Sequence, residues 1–237
     1  MFDDRFTELA RRRPLILGHR GSPRFAPENS LESFRIALEQ GADGVELDVQ
    51  CTADGVLVAH HDESLPSGER ISALPYAELL PGARRAGFEM PLLADVFQLL
   101  SGRGLLNIEL KRAGFEHRAV ELARNLLPAE TYAFSSFNAR SVTECRRLAP
   151  DVPGFLIVFG PRDSTLDLAL LEAIRASGIA FESDHAPDEL VRLFRARRYP
   201  VFVWTVNDNL EAVRLAKAGV TGLITDEPAR LVKLLAV

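Results

Sequence analysis

Cysteine is scarce in this chain of 237 residues, since only Cys51 and Cys145 are present. Two cysteines so far apart provide neither a disulfide framework nor a set of thiolate ligands for zinc. Their scarcity therefore excludes the class of small disulfide-stabilised proteins. It also favours a reducing compartment, and we expect the protein to be cytoplasmic.

Long apolar runs and an excess of basic residues are also missing. No segment approaches the roughly 20 apolar residues of a membrane-spanning helix. The first residues, MFDDRFTELARRRP, contain early acids and lack the apolar region of a signal peptide. The formal net charge of -5 is opposite in sign to that of a typical nucleic-acid-binding surface. We therefore expect a soluble protein without a transmembrane segment and without a nucleic-acid partner.

Apolar residues, by contrast, make up 47% of the chain, enough to bury one good core. Strand-like apolar runs alternate with helical patterns almost to the end, which predicts parallel strands connected by helices. The nine strand-like segments are residues 15–18, 45–50, 56–60, 106–110, 131–135, 154–159, 179–182, 201–205 and 222–225. Length and pattern together predict a single domain over residues 1–237.

The third strand-like segment cannot be parallel to the second. Only five residues separate Gln50 from Val56, whereas a parallel crossover needs a dozen or more. The pair Asp54-Gly55 instead predicts an antiparallel hairpin with a two-residue type I′ turn. Eight strands remain, so we predict an α/β fold, a (β/α)8 TIM barrel with a small hairpin or loop insertion after strand 2.

Two further features concern the connections. Asn29, followed by Glu32, predicts a capping arrangement at the start of the first helix. Residues 62–90 are rich in proline, glycine and charge, and they form a longer connection than a barrel usually has. We interpret this segment as a small insertion or lid above the barrel mouth, the alternative being an excursion without a role.

Carboxylates occur on two of the apolar strands. Glu46 and Asp48 are two residues apart, so both point to the same face of their strand, where like charges repel unless a cation lies between them. Glu109 and Lys111 repeat this spacing at the end of another strand. Three converging carboxylates predict an oxygen-only site for a hard divalent cation, Mg²⁺ or Ca²⁺. The alternative is a buried network of glutamate and lysine without a metal.

Histidine, arginine and tryptophan occupy the ends of other strands. His19 ends the first strand, and α/β barrels build their active sites at the carboxyl ends of strands. Arg20 and Lys111 provide positive charge for a phosphate oxygen. Trp204, at the end of the seventh predicted barrel strand, either contacts substrate at the mouth or packs in the core.

The neighbours His60 and His61 compete for a second role. With a two-residue hairpin turn, His61 lies opposite Asp48 and shares its face, while His60 points away. A loop with an odd number of residues reverses this choice.

Five segments occur in an order and at spacings that resemble the glycerophosphodiester phosphodiesterase family: HRGSPRFAPENS, ELDVQCTADGVLVAHHD, NIELK, WTVN and ITDEP. The resemblance covers residues 15–235. It implies metal-dependent hydrolysis of small-molecule glycerophosphodiesters to sn-glycerol 3-phosphate and an alcohol, with attack by the neighbouring glycerol hydroxyl and a cyclic intermediate.

The resemblance also assigns roles to residues. It implies that Glu46, Asp48 and Glu109 hold the metal and that His19 and His61 carry out acid-base chemistry, His61 being selected by the pair His61-Asp62. Either histidine fits either proton-transfer role. Two alternatives stay open: a phosphodiesterase of the same fold acting on lysophospholipids or another diester, and a non-catalytic barrel that binds phosphorylated metabolites.

Overall fold

The computed structural model describes residues 5–236, and the start of the N-terminal segment lies outside this range. Its strands are Leu15–Gly18 (β1), Gly44–Cys51 (β2), Leu57–Ala59 (β3), Leu105–Leu110 (β4), Tyr132–Ser136 (β5), Gly154–Val158 (β6), Gly178–Glu182 (β7), Val201–Trp204 (β8) and Gly222–Thr225 (β9). Its α-helices are Arg5–Leu9 (α1), Leu31–Glu39 (α2), Tyr76–Arg85 (α3), Leu93–Leu100 (α4), Glu116–Leu126 (α5), Ala139–Leu148 (α6), Ser164–Ala173 (α7), Asp188–Ala196 (α8), Asn209–Ala218 (α9) and Pro228–Leu234 (α10).

Eight of these strands form a closed parallel barrel. Around the barrel the order is β1, β9, β8, β7, β6, β5, β4, β2, and β1 pairs in parallel with both β9 and β2. The predicted (β/α)8 barrel is confirmed. Within residues 5–236, no helix combines the length and the apolar character needed to cross a bilayer.

Side chains alternate between the barrel interior and the layer beneath the helices. Leu17, Phe155, Ala180 and Phe202 belong to the cluster that fills the interior. Most other apolar strand residues pack in two larger clusters against the helices. Phe6 of α1 packs edge-on against the rings of Phe155 and Phe202, at centroid distances of 5.7 and 5.9 Å. The floor of the barrel is therefore filled, and open space lies above it, at the carboxyl ends of the strands.

The hairpin after β2 corrects one prediction. β3 is antiparallel to β2, as expected, but Val49 pairs with Ala59 and Cys51 with Leu57, so the loop between the strands, residues 52–56, is five residues long. Of the two turn residues only Gly55 has a positive φ, and the Thr52 hydroxyl accepts the N–H of Val56 at 3.0 Å. The two-residue turn was therefore wrong, because hydrogen bonding by the Thr52 side chain favours a longer loop.

This register places His60, not His61, opposite Asp48, and the His60 N–H donates to the Asp48 carbonyl at 3.1 Å. β3 ends at Ala59, however, so the side chains that follow no longer obey the alternation of the strand. His61 reaches the barrel mouth from this irregular segment. The register argument for His61 was wrong, although the residue does face the pocket.

The start of α2 also differs from the prediction. Its N-cap is Ser30, whose hydroxyl accepts the N–H of Ser33 at 3.1 Å. Asn29 has a positive φ of 56° and directs its amide to Asp48 on β2 instead. The capping arrangement therefore begins one residue later than expected, because the Asn29 side chain bonds to the barrel.

Residues 62–90 are packed rather than extended. They contain a short 3-10 turn, Ile71–Ala73, followed by α3. Their apolar side chains form a separate cluster against β3, which includes Leu65, Ile71 and Leu79. The segment thus has its own small core above β2 and β3, while its function as a lid stays a prediction.

Candidate active site

One pocket opens at the carboxyl ends of the barrel strands. It encloses about 500 Å³, part of it open to solvent. Its lining residues are His19, Arg20, Glu46, His61, Asn107, Glu109, Lys111, Phe137, Ile157, Ala180, Trp204 and Ile224. Seven of the eight side chains singled out in the sequence are among them, and the eighth, Asp48, is buried beside them.

Three carboxylates converge on one side of the pocket. Glu46, Asp48 and Glu109 each offer an oxygen atom, and these atoms lie within 4.8 Å of one another. The cause is local, because β2 and β4 are adjacent and pair Asp48 with Glu109, and alternation brings Glu46 to the same face. All three side chains are buried.

This crowding changes the proton affinity of the acids. Burial, followed by repulsion from Asp48 and Glu109, raises the pKa of Glu46 well above its ordinary value. Burial and the charge of Asp48 also raise the pKa of Glu109. A cation among the three oxygens would relieve both effects, so the donor set fits a hard divalent ion.

Asp48 has a different environment within the cluster. Its Oδ2 accepts from Asn29 Nδ2 at 2.8 Å and lies 3.1 Å from Arg20 Nε, while its Oδ1 lies 3.2 Å from Lys111 Nζ. Burial acts to raise the pKa of Asp48, but the charges of Lys111 and Arg20 outweigh it and lower that pKa. Asp48 is therefore the firmly ionised member of the three.

The two cations are fixed by their own contacts. Lys111 Nζ lies 2.7 Å from Glu109 Oε1, and the Arg20 guanidinium donates to Glu28 at 2.9 Å. Arg20 has a positive φ of 52°, and its backbone N–H donates to Glu46 Oε2 at 3.0 Å. The pocket thus presents two positive side chains beside the carboxylates, an arrangement suited to a phosphate group next to a metal ion.

Both histidines of the pocket are held through Nδ1. His19 Nδ1 lies 2.8 Å from Asp226 Oδ1, and His61 Nδ1 lies 2.7 Å from Asp62 Oδ1. A carboxylate at Nδ1 orients the ring and leaves Nε2 for proton transfer. The neighbouring His60 is half-buried, stacks on Phe88 with ring centroids 5.2 Å apart and is absent from the pocket lining.

Asp226 is itself held by a further side chain. Its Oδ2 accepts from Asn207 Nδ2 at 2.6 Å, and its backbone N–H donates to Asn207 Oδ1 at 3.0 Å. Burial acts to raise the pKa of Asp226, but the hydrogen bonds from His19 and Asn207 outweigh it and lower the pKa. An ionised carboxylate therefore faces the His19 ring.

The opposite side of the pocket is apolar and aromatic. Phe137, which follows β5, packs edge-on against Trp204 with ring centroids 5.5 Å apart. Trp204 Nε1 donates to the carbonyl of Ala180 at 3.4 Å. Lys111 Nζ lies 5.9 Å from the centroid of the Phe137 ring. The pocket therefore has a charged half for a phosphate and an apolar half for carbon-bearing groups.

Sequence reasoning missed several residues of this pocket. Asp226 follows β9, and alternation along that strand places it on the same face as Ile224, which is the signal that would have found it. Asn107 precedes Glu109 by two residues, the signal that would have found it. Its buried Oδ1 has no hydrogen-bond partner among residues 5–236, so it offers one more oxygen to a ligand of the pocket.

The chain matches a family profile and curated relatives over most of its length. The profile of the Glycerophosphoryl diester phosphodiesterase family matches residues 19–230. A glycerophosphodiester phosphodiesterase of Caldanaerobacter subterraneus is 33% identical, with 93% of this chain and 97% of the relative covered.

Solved structures give the same result. An Oleispira antarctica phosphodiesterase in complex with the product sn-glycerol-3-phosphate is similar at a TM-score of 0.85 and 27% identity, covering 95% of this chain and 98% of that one. The Thermotoga maritima glycerophosphodiester phosphodiesterase is similar at a TM-score of 0.80 and 28% identity, covering 93% and 98%. The family profile spans most of the chain, and the chain therefore belongs to the glycerophosphoryl diester phosphodiesterase family.

Proposed function

We propose that this protein is a metal-dependent phosphodiesterase that hydrolyses glycerophosphodiesters to sn-glycerol 3-phosphate and an alcohol. One observation carries the proposal: a cluster of three buried carboxylates shares a pocket with two histidines, each held by a carboxylate. The names of the relatives support the substrate class, and the product bound to the Oleispira antarctica enzyme supports the reaction product.

Glu46, Asp48 and Glu109 would hold the divalent cation, Mg²⁺ or Ca²⁺. When bound, such an ion stabilises the charge that develops on the phosphate in the transition state. A network without metal is less well supported, because among the described residues no side-chain nitrogen of Lys or Arg lies within 4.0 Å of the Glu46 carboxylate. Within residues 5–236, the hydrogen bond that this carboxylate receives comes from the backbone N–H of Arg20, which does not neutralise its charge.

Arg20 and Lys111 bind the phosphate oxygens in this proposal. Both cations already contact Asp48, so each is fixed before substrate arrives. An arginine beside a lysine provides directional donors and a compact positive charge for the same anion. Trp204 packs against the glycerol moiety from the aromatic side of the pocket.

His19 and His61 move the protons. In the first step one imidazole takes the proton of the attacking hydroxyl as its oxygen bonds to phosphorus, and the other gives a proton to the alkoxide that leaves phosphorus as the alcohol. In the second step water attacks the cyclic phosphodiester and opens it, with the two imidazoles exchanging roles, so that one water is consumed overall. The family resemblance implies that the first attack comes from the neighbouring glycerol hydroxyl. Asp226 and Asp62 hold Nδ1 of the two rings, which makes Nε2 the atom that exchanges the proton.

A panel of diesters tests this proposal. The purified protein is incubated with Mg²⁺ or Ca²⁺ and glycerophosphocholine, glycerophosphoglycerol, lysophosphatidylcholine or a diester without glycerol, and the products are identified by ³¹P NMR. We expect sn-glycerol 3-phosphate from the first two. Lysophosphatidic acid as the main product would favour the lysophospholipid alternative, and no turnover with any metal would favour the non-catalytic alternative.

The cytoplasmic location stays a prediction from the scarcity of cysteine.

A further inference from the structure

Glu182 lies at the carboxyl-terminal rim of the barrel, outside the residues that line the pocket, and takes no part in the proposed chemistry. It is the last residue of β7, two positions after Ala180, which lines the pocket. Alternation therefore directs Glu182 to the inside of the barrel, one layer higher. In the order of the strands, β7 is four places from β2 in either direction, so Glu182 stands across the barrel from Glu46 and Asp48.

Two aromatic residues flank Glu182 on the neighbouring strands. Glu182 pairs with Trp204 of β8, and the pairing of Val158 with Phe181 brings Phe159 beside Glu182 on the other side. Adjacent strands lie about 4.8 Å apart, so the three residues form one row along the inner rim. The Phe159 ring is 64% exposed although it is apolar.

The Glu182 carboxylate keeps capacity to bind a cation. Its Oε2 accepts from His185 Nδ1 at 2.7 Å and from the N–H of Gly160 at 3.4 Å. Among residues 5–236, no hydrogen bond reaches Oε1 and no Lys or Arg nitrogen lies within 4.0 Å of the group. One oxygen of this carboxylate is therefore available to a ligand at the rim.

The nearby arginines do not compete for this charge, because other acids bind them. Arg162 pairs with Asp167 on α7. Arg214 pairs with Asp188 and with Glu211. Glu182 is therefore a negative group at the mouth beside an exposed aromatic ring, and this combination is the one that holds ammonium groups in proteins.

The geometry points to Glu182 and Phe159 as the binding site for the head group of the leaving alcohol. They select glycerophosphodiesters whose alcohol carries an ammonium group, such as choline or ethanolamine, over those with a neutral alcohol. The inference rests on the proposed function, because it assumes that the phosphate binds at the charged half of the pocket. A diester held there extends its second substituent across the mouth toward β7.

The test compares two substrates in matched variants. The kcat/KM for glycerophosphocholine is divided by that for glycerophosphoglycerol in wild type, Glu182→Gln, Phe159→Leu and Asp184→Asn. Asp184 is an exposed acid two residues after Glu182, in the turn that follows β7. Its substitution therefore removes one negative charge near Glu182 but outside the inner rim. We expect Glu182→Gln to lower the ratio about tenfold, Phe159→Leu to lower it less, and Asp184→Asn to leave it unchanged.

An equal ratio in Glu182→Gln and Asp184→Asn would overturn the inference. A second measurement keeps it testable without turnover: the Kd of each diester is determined by calorimetry in a His61→Ala background, with and without Glu182→Gln. If the wild type cleaves neither diester, the proposed function fails, and the ratio of the two Kd values still decides the role of Glu182. A tenfold loss of preference for the choline diester supports it, and an unchanged preference contradicts it.

Discussion

Asp226 Oδ1 lies 2.8 Å from His19 Nδ1, a contact that joins the first strand of the barrel to the segment after the last. Closure of β9 onto β1 creates it, because Gly18 pairs with Thr225, one residue before each partner. The pair thus couples completion of the fold to the orientation of one proposed catalytic ring.

Asp226→Asn tests this coupling. Asparagine keeps the shape but loses the charge that favours an Nδ1–H donor and an unprotonated Nε2. We expect kcat to fall on the order of 10²-fold with little change in KM, since a wrong tautomer impairs proton transfer rather than binding. Steady-state kinetics with glycerophosphocholine measure this effect, and circular dichroism checks the fold. A variant with wild-type kcat would show that Asp226 does not position His19.

The two histidines should differ sharply from their neighbour. We expect His19→Ala and His61→Ala each to lower kcat on the order of 10²- to 10⁴-fold, the range that general acid-base groups contribute. His60→Ala is the matched control, because His60 stacks on Phe88 outside the pocket. Its kcat per folded molecule should stay within about threefold of wild type. A large loss in His60→Ala together with an active His61→Ala would reverse the assignment.

Metal binding should become stronger as the pH rises. Burial, with repulsion from Asp48 and Glu109, raises the pKa of Glu46, so the metal-free folded protein holds a proton there that the unfolded chain releases. Its stability must therefore fall as the pH rises from the ordinary glutamate value through the raised one. A divalent cation displaces this proton, and its stabilising effect grows over the same pH window.

Thermal unfolding with and without Mg²⁺ or Ca²⁺, from pH 5 to pH 8, measures this dependence. The metal-induced rise in Tm should increase with pH in wild type and in Glu78→Gln, a control at an exposed acid of α3. The Glu46→Gln variant should lose most of the metal-induced rise in Tm. A rise in Tm that is independent of pH, or one that persists in Glu46→Gln, would contradict the assigned site.

Asn29 should support the metal site through Asp48. Its amide donates to Asp48 Oδ2 at 2.8 Å and accepts the Asp48 N–H at 3.1 Å. Because Asn29 has a positive φ, glycine removes the side chain without straining the backbone. Groups that orient metal ligands affect affinity about 10- to 100-fold, so we expect Asn29→Gly to raise the Kd for the cation by about tenfold. An unchanged Kd by calorimetry would make Asn29 merely structural.

The barrel and the carboxylate cluster were predictable because both follow from local rules. Continuous apolar runs and the lengths of the connections define parallel strands, and alternation alone puts Glu46 and Asp48 on one face. Glu109 could be added because it ends another buried strand. These arguments need no knowledge of how distant segments meet.

The remaining features depend on contacts that the local pattern does not encode. Asp226 and His19 are 207 positions apart in the sequence, and only closure of the barrel brings them together. The loop after β2 depends on a hydrogen bond from Val56 to the Thr52 side chain, which changed the register by one residue. Asn29 has the composition of a helix cap but bonds to a strand, a choice made by tertiary packing.

Turnover after removal of metal tests the central claim most directly. Release of sn-glycerol 3-phosphate from glycerophosphocholine is measured in protein treated exhaustively with EDTA, then after addition of Mg²⁺ or Ca²⁺, in wild type and in Glu109→Gln. We expect chelation to abolish turnover, either ion to restore it in wild type, and neither to restore it fully in Glu109→Gln. Undiminished turnover in the chelated protein would contradict a metal held by Glu46, Asp48 and Glu109.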